Sequence, residues 1–399
     1  MYKPSQKILD KYADVLVNFA LNSGQGVKKG EVVFLQVPES AKPLLASLQR
    51  SVLKSGAHAI IQYLPDEMSR EFFELADDYQ LKFFPSTFLK GRVKQADHFL
   101  MVLAETNFHE LEGIDPKKIM DRSAVFKPYH EWRDKKENRG KLTWTLGSYA
   151  TPAMAKEAGL TLRECWKQII KACYLNYKNP VVKWQRIQNK SEKLRKKLNK
   201  LEIVSVNIKA KDTDLNITIG DNRQWLGGGG RNIPSFEIFT SPDWRGTNGY
   251  ISFDQPLYRQ GNLIKNIKLT FKDGLVVDAT AGYGEEFLKQ LIKVENSNKI
   301  GEFSLTDKRF SKINKFMAET LYDENFGGEF GNTHIALGSA YKDTYSKKMN
   351  KLKPQDWDDL GFNDSAVHTD IIATSDRIVT ATLKNGKKII LYKSGQFQV

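Results

Sequence analysis

Cysteine is scarce in this sequence. The 399 residues include only Cys165 and Cys173, eight positions apart in a stretch whose pattern predicts a helix. Such a pair forms neither a CxxC motif nor a disulfide framework. We therefore interpret both side chains as reduced thiols in a protein core.

Long apolar runs are also missing. The longest, "HAIIQYL" and "EVVFLQV", fall far short of the roughly 20 residues that cross a bilayer as a helix. No membrane-spanning helix and no membrane partner are therefore expected. The N-terminal stretch "MYKPSQKILDKYADVLVNFALNSGQG" mixes charges with apolar residues, so it lacks the apolar core of a secretory signal. We expect a cytoplasmic protein.

Several common functional signatures are absent. The sequence has no HExxH motif of a helical zinc protease and no GxSxG motif of a serine hydrolase. The glycine-rich stretch "WLGGGGRN" lacks the GxxxxGKS/T spacing of a phosphate-binding loop, and we interpret it as a flexible turn. Residues that carry chemistry must then come from separate strands.

Acidic residues do not balance the basic ones. Lysine and arginine number 61 against 47 aspartates and glutamates, which gives a formal charge of +14. Clustered cations bind nucleic acids because they release counterions from phosphate. The best candidate segment, residues 183–200, carries cations all around its predicted helix, which favours a solvated face or a linker. Nucleic-acid binding stays an alternative, and the favoured interpretation has no nucleic-acid partner.

The pattern of predicted elements changes near residue 185. Before it, amphipathic helices alternate with apolar strands, including a helix at 5–22 and a buried strand at "AHAIIQYL". This predicts a doubly wound-like α/β domain over residues 1–185. After it, short strands joined by Gly, Asn and Asp turns predict an α+β, largely antiparallel domain over residues 186–399. That domain has a hairpin at "KNG" (384–386) and helices near 283–294 and 310–321.

Histidines and carboxylates cluster in the second half. If "VHTDII" is a strand, His368 and Asp370 share one face about 6.8 Å apart, and an imidazole with a carboxylate suits a divalent metal. Glu302 and Glu237 interrupt apolar strands, where a buried carboxylate needs a cation or a donor. His334 follows the acids of "DENFGGEF". Taken alone, the His368 and Asp370 pair and each of the two glutamates are better explained as exposed strand positions. The other four histidines, in the first half, lack neighbouring ligands and are interpreted as surface or core residues.

Five stretches of the second half resemble the metalloaminopeptidase family of aminopeptidase T, aminopeptidase S and PepS. In the family's order and with comparable spacing, they are "RNIPSFEIFTSP", "GEFSLTD", "TLYDEN", "NTHIALGSAY" and "VHTDIIA". The first half matches more loosely, through "GVKKGEVVFLQVP" and "TLGSYATPAMA". The resemblance therefore covers essentially the whole chain.

The resemblance implies a site with two divalent metal ions, either zinc, cobalt or manganese, which activate a water molecule. The implied metal ligands are Glu237, Glu302, Glu324, His334, His368 and Asp370, and the implied catalytic residues are Glu302, which bridges the ions, and Tyr341. Tyr341 would donate a hydrogen bond to the developing oxyanion. An aromatic core contact is the alternative for Tyr341.

The implied reaction is hydrolysis of the N-terminal residue from peptides with a free N-terminus, by a homodimer that partly encloses the site. The specificity of such a site lies in pocket walls that the sequence does not identify. A dipeptidase or an amidohydrolase with the same two-metal site therefore stays open as an alternative.

The chain departs from the family's pattern at two places. "IPSFE" replaces the commoner "MPDGE", and "FGGEFGNT" lengthens the link between "DEN" and "HIALG". The longer link brings in Glu329, five residues before His334, as a rival to Glu324 for one ligand role. We favour Glu324, and we expect the glycines at 327, 328 and 331 to let the chain turn tightly there.

Overall fold

The first half of the chain folds around a parallel sheet. The structure is a computed structural model that describes residues 2–227, 229–349 and 352–399. The strands of this sheet are β1 (Val32–Pro38), β2 (His58–Leu64), β3 (His98–Leu103), β4 (Thr143–Ser148) and β8 (Asn232–Ile233). They lie in the order β2-β1-β3-β4-β8, and all neighbours are parallel.

Within the described part of residues 1–199, eleven α-helices accompany this sheet. They are α1 (Gln6–Val15), α2 (Leu21–Gly24), α3 (Lys42–Lys54), α4 (Ser69–Leu75), α5 (Asp78–Leu81), α6 (Ser86–Gln95), α7 (Pro116–Val125), α8 (Lys127–Glu137), α9 (Pro152–Glu157), α10 (Leu162–Ala172) and α11 (Pro180–Asn199). A π-helical segment, Leu16–Ala20, extends α1. Helix α10 begins with ordinary capping chemistry, because Thr161 and Glu164 form a capping box there.

The core of the first half also includes side chains from the second half. Leu16, Leu100 and Trp166 are buried in it, and Ile313 and Tyr322 pack into the same cluster. Because burial of apolar area is the main stabilising contribution, this shared core holds the two halves together.

Strand β2 differs from its prediction as a buried strand. It lies at the edge of the sheet, and Ile60, Ile61 and Tyr63 are exposed. The prediction was wrong because an apolar run of strand length indicates extended structure but not whether a helix covers both of its faces.

The second half contains two antiparallel sheets. The larger one comprises β5 (Ile203–Ala210), β6 (Thr213–Thr218), β10 (Asn248–Ser252), β13 (Lys268–Lys272), β14 (Leu275–Thr280), β18 (Arg377–Leu383), β19 (Lys388–Lys393) and β20 (Gln396–Phe397), in the order β14-β13-β10-β6-β5-β18-β19-β20. The smaller one comprises β7 (Leu226–Gly227), β9 (Glu237–Thr240), β15 (Ile300–Thr306), β16 (Asn332–Gly338) and β17 (His368–Ala373), in the order β17-β16-β15-β9-β7. A separate hairpin pairs β11 (Leu257–Arg259) with β12 (Asn262–Ile264).

The predicted class, a parallel α/β half followed by a largely antiparallel α+β half, is confirmed. The hairpin at "KNG" joins β18 to β19, and Gly386 has the positive φ of 81° that such a turn requires. Part of "WLGGGGRN" forms β7, and Gly228 lies outside the described residues.

The helix predicted near 310–321 does not form. The helices of the second half are α12 (Glu285–Leu291), α13 (Thr320–Asp323) and α14 (Pro354–Asp359). Residues before α13 are irregular because the Asp323 carboxylate accepts hydrogen bonds from the backbone N–H groups of Met317 and Glu319. Between them, Ala318 has a left-handed φ of 55°, which a helix does not permit. The prediction near 283–294 agrees with α12.

Helix α11 crosses residue 185, at which the change of pattern was seen. It buries Trp184, Ile187, Leu194 and Leu198 along one side, and its cations lie on the others. Arg231 adds a polar link, because its guanidinium lies 2.9 Å from Glu137 of α8 and 2.6 Å from Asp343. Within the described residues, no helix combines the length and the apolar character that a bilayer span needs.

Candidate metal centre

The five-stranded sheet has one apolar face and one polar face. Alternate residues of a strand point to opposite faces, and Phe303, Leu305 and Ile335 point into the core between the two antiparallel sheets. Glu302 and His334, which are also buried, belong to the opposite face. The fold therefore collects ionisable side chains on one surface of a rigid sheet.

Strand register brings these side chains together. Glu302 of β15 and Asp370 of β17 both pair with Ala336 of β16, one from each side. Side chains of directly paired residues share a face, so the two carboxylates lean toward each other across Ala336. The small methyl group of Ala336 leaves space above the central strand.

Two compact groups of ligand atoms result. In the first, Nε2 of His334 lies 3.2 Å from Oε2 of Glu237 and 3.2 Å from Oε1 of Glu302. In the second, Nε2 of His368 lies 3.5 Å from Oε2 of Glu302 and 3.3 Å from Oδ1 of Asp370. Glu302 belongs to both groups and offers a different oxygen to each.

These separations fit the ligand shell of a metal ion. A tetrahedral ion with Zn–N and Zn–O bonds of about 2.0–2.2 Å separates neighbouring ligand atoms by about 3.3–3.6 Å. The closest separations within the two groups are 3.2–3.5 Å. Imidazole and carboxylate are also the ligands that zinc and similar divalent ions accept. The residues present therefore fit the metal that their chemistry implies.

Neighbouring groups orient the presumed ligand atoms. Nδ1 of His368 lies 2.8 Å from the carbonyl oxygen of Ser339, so Nδ1 carries the proton and Nε2 keeps its lone pair when the ring is neutral. The Ser304 hydroxyl donates to Oε2 of Glu237 at 3.3 Å. Such contacts fix the rings and carboxylates before any ion binds.

The pKa values reflect carboxylates crowded in a buried space. Burial raises the pKa of Glu302 to about 7, and the charge of Glu237 adds to this effect. Burial alone would lower the pKa of His368, but Asp370 and Glu302 raise it to about 9. Burial opposes the charged form of Asp370, yet the contact with His368 lowers its pKa to about 2. Protons thus provide positive charge that a divalent ion can replace.

Glu324 lies beside the two groups, and Glu329 lies away from them. The buried Glu324 carboxylate accepts hydrogen bonds from Asn232 at 2.7 Å and from Asn325 at 3.2 Å. Burial raises its pKa well above the usual value, and the charges of Glu237 and Asp370 raise it further. Glu329 is exposed on the surface. Glu324 does not, however, contribute an atom to either compact group.

The inserted glycines form a tight turn after Glu324. Gly331 has a φ of 60°, and a Cβ atom there would lie 2.0 Å from the Tyr392 hydroxyl. Only glycine fits such a position without displacing its neighbours. The turn returns the chain to β16, which carries His334.

Tyr341 packs against the same site. Its ring centroid lies 4.9 Å from that of His368, and the Arg231 guanidinium carbon lies 5.3 Å from the Tyr341 ring centroid. Burial raises the pKa of Tyr341 well above its usual value, and the charges of Glu302 and Asp370 add to the effect. The phenol therefore keeps its proton, and its hydroxyl has no hydrogen-bond partner in the described part of the chain.

The four remaining histidines lie outside the two groups. His98 is buried between Glu31 and Thr143, and His109 contacts Glu112 and Glu157. Sequence reasoning assigned no role to Asn232 and Asn325, which orient Glu324. Asn325 directly follows Glu324 in the quoted "DEN", so its position was visible, whereas Asn232 reaches Glu324 only through the fold.

Comparison with known proteins identifies the class. The family described as "Thermophilic metalloprotease (M29)" matches residues 5–397, and the chain belongs to this family. It is 30% identical to aminopeptidase AmpS of Bacillus subtilis (strain 168) and 27% identical to aminopeptidase 2 of Geobacillus stearothermophilus, over 98% of both chains in each case. The protein is a metalloaminopeptidase, and the resemblance inferred from the five stretches is confirmed.

A solved structure shares the fold. Wild-type AmpT from Thermus thermophilus superposes with a TM-score of 0.81, covering 99% of this chain and 100% of that chain at 24% sequence identity. The likeness extends over both halves. The arrangement of a parallel and an antiparallel half is therefore common to the two proteins.

A paired substitution tests which acid completes the centre. We expect Glu324→Gln to weaken metal binding about 10- to 100-fold, because it removes a buried charge beside both groups. The matched variant Glu329→Gln should bind metal like the parent, since its side chain is exposed. Calorimetric titration of the metal-free proteins with Zn²⁺ measures the metal affinity of each variant. Equal affinities in the two variants would contradict the assignment of Glu324.

Proposed function

We propose that this metalloaminopeptidase hydrolyses the first peptide bond of peptides at a centre of two divalent metal ions. The observation that carries the proposal is the position of Glu302, whose two oxygens face His334 and His368 respectively. A carboxylate placed in this way can bridge two ions. One group of three ligands alone would support only a single ion.

The residues divide into two ligand sets. Glu237 and His334 would hold one ion and His368 and Asp370 the other, with Glu302 shared between the two sets. Glu324 completes the centre from the side. When bound, zinc, cobalt or manganese supplies a Lewis acid and lowers the pKa of a water molecule. The carboxylates of these residues would orient that water and accept its proton.

The substrate's free amine binds next to the metal centre. A small cavity beside Asp370 is lined by Tyr258, Glu319 and Thr320. Burial and the charge of Glu105 together raise the pKa of Glu319 to about 7, so this acid gains from a positive charge placed beside it. An ammonium group supplies that charge. Anchoring the amine there limits cleavage to the first peptide bond.

Tyr341 stabilises the charge that develops on the substrate's carbonyl oxygen. Its hydroxyl is protonated and has no hydrogen-bond partner among the described residues, and its ring is held between His368 and Phe239. A preorganised donor next to the developing oxyanion lowers the barrier without reorganising during the reaction.

We further propose a cytoplasmic homodimer. Ten of the 19 large hydrophobic side chains that are exposed in the described part of the chain lie within residues 53–88. They include Ile61 and Tyr63 on the edge strand β2, Tyr79 on α5, and Phe83 just after α5. A second copy would cover this apolar edge. The two cysteines are free and buried, which suits a reducing compartment.

Activity against a peptide panel tests the reaction. We expect chelated protein to be inactive, and addition of zinc, cobalt or manganese to restore cleavage of aminoacyl-p-nitroanilides and of free dipeptides. N-acetylated dipeptides should resist cleavage, because they lack the ammonium group. Release of p-nitroaniline and chromatography of the products measure these rates. Cleavage of acetylated substrates at equal rates would indicate an amidohydrolase. Absence of cleavage with every metal would overturn the proposal.

Substitution of the bridging residue tests the two-ion arrangement. We expect Glu302→Gln to lower kcat/KM by at least about a hundredfold and to reduce the bound metal from two equivalents to one or none. The exposed Glu286→Gln variant is the control and should match the parent in both measurements. Inductively coupled plasma mass spectrometry counts the metal. A Glu302→Gln variant with most of its activity would remove Glu302 from the mechanism.

Sedimentation tests the assembly. We expect the parent to sediment at twice the 45.5 kDa chain mass, and Tyr79→Glu combined with Phe83→Glu to sediment as a monomer, because two charges would be buried in the interface. Tyr250→Glu, at an exposed tyrosine of the second half, should remain dimeric. A monomeric parent at micromolar concentration would contradict the proposal.

A further inference from the structure

Arg259 is a half-buried arginine that lacks polar partners within the described residues. Its Nε atom is buried and has no hydrogen-bond partner. Within residues 2–227, 229–349 and 352–399, its guanidinium forms no ion pair. Burial lowers its pKa, and Asp370 provides the only opposing charge. Charges that are removed from water are normally paired in native proteins. The described residues provide no direct partner for this one.

Arg259 lies near the metal centre, close enough for its charge to lower the pKa of Asp370. It is the last residue of β11, and the preceding residues of that strand, Leu257 and Tyr258, line the cavity that also contains Asp370. The hairpin also touches the first half of the chain, since Tyr258 donates to Glu157 of α9 at 2.8 Å and Gln260 donates to Ser123 of α7. Arg259 therefore sits where the two halves meet beside the site.

The surroundings of Arg259 are positively charged. Burial and the charges of Arg133 and Arg259 together lower the pKa of His130 on α8 to about 4. Arg133 has Asp134 on the same helix as a nearby counter-charge. Arg259 has only Asp370, whose charge the proposed metal ion would neutralise. A positive region thus borders a centre rich in carboxylates.

We propose that Arg259 binds the terminal carboxylate of short peptide substrates. The inference rests on the proposed function. A guanidinium pairs with a carboxylate through two parallel hydrogen bonds, which gives both affinity and orientation. A dipeptide or tripeptide reaches only about 7–10 Å when extended, so both of its charged ends can be held within one site. The ligand class is therefore the free C-terminus of di- and tripeptides.

The test compares each peptide with its C-terminal amide. For metal-loaded parent enzyme, kcat/KM should be at least about tenfold higher for Leu-Gly and Leu-Gly-Gly than for the corresponding amides. In Arg259→Gln this ratio should fall close to one, mainly through KM for the acids, and Arg259→Lys should be intermediate. The control Arg245→Gln removes a surface arginine that pairs with Asp243 and should keep the parent ratio. A ratio measured within one variant cancels any loss of folded or metal-loaded protein.

Two results would overturn the inference. One is a parent ratio near one although both acid and amide are cleaved. The other is an Arg259→Gln variant that loses activity equally on acids and amides, as expected for an oxyanion donor or a structural residue. If the metal-loaded parent cleaves neither peptide, the proposed function itself fails, and this result is distinct from both.

Discussion

The carboxylate of Glu302 is the group on which the rest of the site depends. It lies on a buried strand, and Phe303 and Leu305 of the same strand point to the opposite face, where the core fixes them. The sheet therefore cannot move the carboxylate toward solvent, and burial opposes its charge. His334, His368 and the neighbouring acids are arranged around this one constraint. Stability of the sheet and function of the site are linked at this residue.

The first half of the chain contributes to the site without supplying a metal-ligand candidate. Its core takes up Met317 and Tyr322, which flank the irregular segment before α13. Together with α13, that segment carries Glu319 to the cavity and brings Glu324 beside the two ligand groups. Removing the first half would leave this segment without its packing partners. The position of two acids in the second half is thus set by the hydrophobic core of the first.

Local patterns predicted the parts of this arrangement that depend on strand alternation. The shared face of His368 and Asp370 follows from a period of two, and the structure has their facing atoms 3.3 Å apart. The convergence of Glu302 with Asp370 depends on the register of β15, β16 and β17, which alternation does not determine. The edge position of β2 depends on distant packing partners, and the irregular stretch before α13 depends on hydrogen bonds to the Asp323 side chain, so apolar periodicity predicted neither. Arg259 gave no local signal at all.

Charge balance explains why the acids and the arginines lie in separate places. With metal bound, the four carboxylates of Glu237, Glu302, Glu324 and Asp370 would carry four negative charges, and the two divalent ions proposed above would supply four positive ones. With neutral imidazoles the centre would then be electrically neutral, so a nearby cation would gain little by pairing with it. Arg231 is instead neutralised by Glu137 and Asp343. Arg259 has no such pair, and its charge is therefore available to an anion that enters from outside. A peptide that carries an ammonium group at one end and a carboxylate at the other matches this separation of charges.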